Sequence, residues 1–207
     1  MHQLLKFNHF KVLFFIFIFT NLLSFANAAT SSTPTSAVFA NPQLKVEYIV
    51  NKDQKKPLMV TTLAEDNHGF LWLGSSSGLS RFDGNKFKPF SFNSEDNTSL
   101  PNNFIRALLV DSKERLWVGT EQGLALYNAK FENFQRFDNC GLIDDYIWAI
   151  FEDDQQRLWV STQSGVHIFN ETNQRFEPVI IDGLSEAASL HDLKNISQSS
   201  DGSIWLG

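Results

Sequence analysis

One short block recurs four times in this chain, and that recurrence restricts the possible folds more than any other feature. Glu65-Asp66-Asn67-His68-Gly69-Phe70-Leu71-Trp72-Leu73-Gly74, followed by Ser75-Ser76-Ser77-Gly78-Leu79 and closed by Phe82, returns over Val110 to Tyr127 around Leu116-Trp117-Val118-Gly119. It returns again over Glu152 to Phe169 around Leu158-Trp159-Val160-Ser161, and opens once more from Ser199 to Gly207 around Trp205. The four tryptophans stand 45, 42 and 46 residues apart. A period in the forties filled with strand-like segments is the spacing of propeller blades: one such sheet cannot bury its apolar face alone, so it stacks on copies of itself. The expected fold class is all-β, a β-propeller of four-stranded antiparallel blades in an incomplete ring of about three full blades plus partial ones.

Each full repeat divides into four short strands. The first runs over Val60–Ala64, Ile105–Val110 and Ile147–Phe151, apolar at nearly every position, as expected of a strand buried on both faces. The tryptophan strand is second. The third runs over Leu79–Phe82, Leu124–Tyr127 and Val166–Phe169, and the fourth over Phe87–Phe92, Phe134–Phe137 and Phe176–Ile181. Pro89 and Pro178 place this last, most polar strand at an outer edge, where a missing ladder donor is tolerated. Gly78, Gly123 and Gly165 each follow their tryptophan by six residues, which predicts a left-handed turn position in all three copies. Asp83-Gly84-Asn85 reads as a tight hairpin. Before the tryptophan, Gly69 and Gly202 are matched by Glu114 and Gln156, so those turns are expected to vary.

Outside the repeat, Met1 to Lys11 is basic, Val12 to Phe19 is apolar without interruption, and Ala26-Asn27-Ala28 has the pattern of a cleavage site. Residues 1–28 therefore read as a secretory signal. Its removal takes two lysines and no acid from 17 basic and 23 acidic side chains, leaving 15 against 23, formally −8. An acidic exported chain is poorly suited to nucleic acid or anionic lipid. Residues 29–43 read as a flexible leader, and residues 44–207 as a partial propeller with repeats over about 59–92, 104–138, 146–181 and 192–207. Leu44–Val50 alternates like a strand. Cys140 stands alone and reads as a small buried residue.

Chemistry-bearing constellations are sparse. His68, His167 and His191 fall at different repeat positions with no metal-ligand spacing, so no metal, no cofactor and no catalytic residue is expected. The pairs Glu65-Asp66, Asp144-Asp145 and Glu152-Asp153-Asp154 read as solvated turn acids. Trp72, Trp117, Trp159 and Trp205, with Gly78, Gly123 and Gly165, read as structural repeat residues. Each indole is expected to lock one blade on the next and to give its N–H to a backbone carbonyl. One position varies suggestively: eleven residues before each tryptophan stand Thr61, Arg106, Trp148 and Lys194. With the preceding loop residues Asn102, Asn103, Asp144, Asp145, Tyr146 and His191, they would ring one mouth of a central channel. Arg106, Tyr146, Trp148 and Lys194 are the candidate ligand-binding set, with Trp148 stacking and Arg106 pairing an acidic or sugar-like ligand.

The pattern Glu-Asp-x-x-Gly-x-Leu-Trp-hydrophobic-Gly-(Thr/Ser)-x-x-Gly-Leu-x-x-(Phe/Tyr) resembles the two-component regulator propeller repeat, over roughly Leu44 to Gly207; Glu114, Gln156 and Ser161 depart from it. The resemblance implies a periplasmic sensor region, with a membrane helix and an output such as a histidine kinase or a GGDEF diguanylate cyclase expected in a longer protein. It also implies that this chain is itself no enzyme, and that the full-length form is anchored in the inner membrane and could dimerise. Its partner would be a small-molecule or saccharide-like ligand, or a protein. The alternatives are a freestanding secreted binding or scaffold propeller and an exported propeller enzyme such as a lyase.

Overall fold

The computed structural model describes residues 59–181 and 190–207. The signal, the leader and the expected strand at Leu44–Val50 lie outside the described residues. Each repeat is an antiparallel four-stranded meander. The first is β1 (Val60–Glu65), β2 (Leu71–Ser75), β3 (Gly78–Phe82) and β4 (Phe87–Phe90). The second is β5 (Ile105–Val110), β6 (Leu116–Thr120), β7 (Gly123–Asn128) and β8 (Asn133–Arg136). The third is β9 (Ile147–Glu152), β10 (Leu158–Thr162), β11 (Gly165–Asn170) and β12 (Arg175–Pro178). A two-stranded sheet follows, β13 (Ile196–Gln198) with β14 (Ile204–Leu206). The described residues contain no helix. The chain is thus all-β, and its sheets are propeller blades.

Apolar cores form between successive sheets rather than within them. Trp72 packs with Ile105, Val118 and Ala125 of the second blade, and meets Tyr127 edge-on with ring centres 4.6 Å apart. Trp117 repeats this on the third blade, against Ile147, Val160 and Phe169, at 5.4 Å from the Phe169 ring. Trp159 packs with Ile196. Burying an indole stabilises by about 4–6 kcal/mol as an upper estimate, so each of these contacts is a main tie between neighbours.

Of the first two strands in each full repeat, the second is the more deeply buried. β6 and β10 are buried at every position, whereas β1, β5 and β9 are mostly half-exposed or exposed because they are the innermost edge of each sheet and have a strand on one side only. This corrects the reading of the first strand as buried on both faces.

The tryptophan N–H does not go to a carbonyl. Trp72, Trp117 and Trp159 each donate to the carboxylate six residues earlier, Asp66, Asp111 and Asp153, at 2.7, 2.8 and 2.8 Å. The other oxygen of each acid accepts two backbone N–H groups of its own turn, those of His68 and Phe70, Lys113 and Arg115, and Gln155 and Arg157. Asp111 and Asp153 are buried, each also accepting an arginine Nε at 2.6 Å, so they are clamps of the blade and not solvated acids. Burial alone would raise the Asp153 carboxyl, but the Trp159 and Arg157 donors outweigh it and hold it below the usual range.

Glu114 and Gln156 take φ of 63° and 61°, beside 80° and 88° at Gly69 and Gly202, so all four turns share one left-handed position despite their different side chains. Two other expectations need revision. Gly78 and Gly123 have φ of 125° and 129°, but Gly165 is not in the left-handed region, and a Cβ there would meet nothing closer than 3.6 Å. Trp205 is 65% exposed and has Ser199 where the other copies carry the clamping aspartate.

Candidate functional site

The residue eleven before each tryptophan sits on a β-bulge. The β1–β2 register slips between Val60 and Thr62, the β5–β6 register between Ile105 and Ala107, and the β9–β10 register so that Ile147 and Ala149 face consecutive partners. Thr61, Arg106 and Trp148 are the extra residues. Before β13, Lys194 and Asn195 both donate to the Gly207 carbonyl, at 2.6 and 2.7 Å, which is the shared-acceptor pattern of the same bulge. A bulge leaves one residue out of the ladder and re-aims its side chain, so apolar packing between blades does not rest on this position.

The neighbours of the bulge carry that packing instead. Ile105 and Ile147, just before it, press on the glycine of the preceding blade's tryptophan strand, where a Cβ at Gly74 or Gly119 would stand 2.7 or 2.6 Å from the isoleucine Cγ2. In the next copy Ser161 replaces that glycine, and its hydroxyl donates to the Leu193 carbonyl. Ser161 therefore marks a blade contact rather than a turn.

Arg106, Tyr146, Trp148 and Lys194 meet. The Arg106 guanidinium lies 4.4 Å from the Phe104 ring centre and 5.0 Å from those of both Tyr146 and Trp148. Tyr146 and Trp148 ring centres are 4.7 Å apart, and the Lys194 ammonium lies 5.2 Å from the Trp148 ring. Trp148 therefore receives a cation from the blade before and another from the sheet after, a cation–π arrangement spanning three neighbouring sheets.

Sequence reasoning missed Glu121, in the β6–β7 turn. Its carboxylate accepts from Arg106 and, at 3.1 Å, from the Tyr146 hydroxyl, which also bonds Arg106. Burial, then the bond to Glu121, raises the Tyr146 phenol, which stays neutral. The pairing expected between Arg106 and a ligand is thus already met within the chain. Two donors are left over: Arg106 Nε and Trp148 Nε1 are buried without a hydrogen-bond partner. Such a group costs roughly 1–3 kcal/mol. Among the described residues only one other side-chain atom, His167 Nδ1, shares that state.

The remaining residues of the expected ring have other work. Thr61 gives its hydroxyl to the Ile105 carbonyl at 2.7 Å, tying the first blade to the second. Asn102 and Asp144 each accept the N–H two residues on, from Phe104 and Tyr146, shaping the entry to the inner strand. Asn103 accepts from Phe92 N–H, and the Asp145 carbonyl from Gly123 N–H. His191 is exposed. Among the described residues no cluster of three metal-ligating side chains forms.

No curated protein matches the chain. Among solved structures, the extracellular domain of a hybrid two component system from B. thetaiotaomicron superposes with a TM-score of 0.62 at 23% identity, covering 72% of this chain and 22% of that one. A virginiamycin B lyase from Staphylococcus aureus gives 0.57 at 12% identity, covering 80% and 54%, and a streptogramin B lyase 0.53 at 14%, covering 71% and 47%. The chain spans about a fifth of the first and about half of each lyase. At these identities the likeness is one of fold. The model of the family described as "Two component regulator propeller" matches residues 99–122 and 141–164, each ending in a tryptophan strand and its turn. This chain carries two component regulator propeller repeats.

Proposed function

We propose that the chain is an extracytoplasmic sensor module of a bacterial transmembrane signalling protein, and that Arg106, Tyr146, Trp148 and Lys194 contact its ligand. The observation that carries this reading is the meeting of those four side chains, three of them on bulges, in a chain whose repeats match a two component regulator propeller. The extracellular domain it resembles in fold and the signal-like residues 1–28 support the location. The ligand is a small molecule, saccharide-like or acidic, or a protein surface, and a downstream membrane segment and cytoplasmic output relay its capture. Lys194 is the exposed group of the four, the two buried unpartnered donors are hydrogen-bonding capacity the chain leaves unused, and Glu121 balances Arg106. The lyases share the fold without lending their activity, and the module is non-catalytic.

The test is a thermal-shift screen of mono- and oligosaccharides and organic acids. Any hit is then titrated against Arg106→Ala and Trp148→Ala. Each variant is expected to weaken binding by at least about tenfold, the equivalent of losing one good polar contact. Unchanged affinity in both variants would end the assignment of this site.

A further inference from the structure

One of several holds on the segment that leads from β8 into β9 is a histidine. Ile143 N–H donates to Nε2 of His167, in β11, at 3.3 Å. The His167 side chain is fully buried and its Nδ1 has no partner. An imidazole that accepts at Nε2 is neutral and carries its proton on Nδ1. The same segment is held elsewhere by Phe176 N–H on the Cys140 carbonyl, Gly123 N–H on the Asp145 carbonyl, Gln163 N–H on the Tyr146 carbonyl, and Ser164 hydroxyl on Asp144. Among these holds only the one at His167 uses an acceptor that titrates near neutrality. Three residues on from Ile143 is Tyr146, whose hydroxyl bonds both Arg106 and Glu121.

We propose that His167 is a proton-operated latch: a proton on Nε2 turns the acceptor into a donor facing the Ile143 N–H, and the 141–146 segment lets go, loosening Tyr146 from Arg106 and Glu121. Two donors face to face repel, and the buried imidazolium has no anion to pair with. Around the ring, β10 presents the Val160 backbone and β12 presents Pro178, with Glu177 next along and bonded to Asn170. The segment itself brings Asp144, committed to Ser164 and Tyr146 N–H, the exposed Asp145 and the buried Cys140 thiol. No charged side chain among them bonds to the imidazole. Burial pushes His167 below its usual value, against a smaller pull from the Val160 backbone. The latched state therefore binds the proton more weakly than the released one, and release is favoured as pH falls below the ordinary histidine value of about 6.5. Regulation of ligand capture by this latch rests on the site proposed above; the latch itself does not.

Amide exchange and side-chain NMR on the whole chain, from about pH 7.5 to about pH 5, test it without any ligand. The protection factor of Ile143 should fall by up to about tenfold for each unit by which the latched His167 lies below its usual value, with the Tyr146 ring resonances moving in step. His167→Gln, whose amide oxygen accepts the same N–H and does not titrate, should hold both readouts flat. Equal pH profiles in the wild type and His167→Gln would overturn the latch, as would loss of Ile143 protection with Tyr146 unmoved. Should His167→Gln not fold, the wild type alone decides: a His167 ring that titrates while Ile143 protection stays constant sinks the proposal. Binding studies with Trp148→Ala answer the separate question of whether the cluster takes a ligand.

Discussion

Two tryptophans in neighbouring blades show how the repeat separates holding the fold from facing outward. Trp117 sits on a strand buried at every position, its ring against Phe137 and Phe169 and its N–H on Asp111. Trp148 sits on a bulge of a half-exposed strand, between two cations, with its N–H unpartnered. The same residue type is a blade tie in one place and a half-buried member of a polar cluster in the other. Backbone register makes the difference: inside the ladder a side chain must fit the next sheet, and on the bulge it need not.

Trp117→Ala should therefore cost about 3–5 kcal/mol in a denaturant melt, while Trp148→Ala should cost at most about 2 kcal/mol. Equal losses would erase the contrast and return Trp148 to the packing between blades. Glycines allow a finer version. Gly119→Ala drives a methyl to 2.6 Å from Ile147 and should cost about 1–3 kcal/mol, whereas Gly165→Ala meets open contacts and should change stability by no more than about 0.5 kcal/mol. The smallest expected effect concerns the clamp. The folded-state value of Asp153 lies below its ordinary one, so the stability it contributes is fully present above about pH 4 and is lost as pH falls through the folded value. Melting curves of wild type and Asp153→Asn taken down that acid limb should converge; a constant gap would show that the carboxylate charge is not what the clamp uses.

The four-strand order and the pairing of Gly78 and Gly123 with left-handed turns were readable because they follow from local periodicity and a missing Cβ. The aspartate clamp was also in plain view, as an acid six residues before three of the four tryptophans, but Asp66 and Asp153 stand in acidic runs that read as solvated turns, and Asp111, between Val110 and Ser112, drew no notice as a lone acid. Glu121 had no such signal: the matching positions carry Ser76 and Gln163, and its partners are 15 and 25 residues away. Nor does a bulge announce itself, since it is a relation between two strands and not a property of either.

From the amino-acid order alone came the unit of construction, a sheet about forty residues long whose apolar face needs a copy of itself, because hydrophobic spacing is a one-dimensional property. The tertiary structure decided where unsatisfied polarity would lie. It placed Arg106, Glu121, Tyr146, Trp148 and Lys194 together by stacking sheets, and it alone showed which of their donors found acceptors. Hydrogen bonds between blades depend on distances in space that no spacing along the chain records.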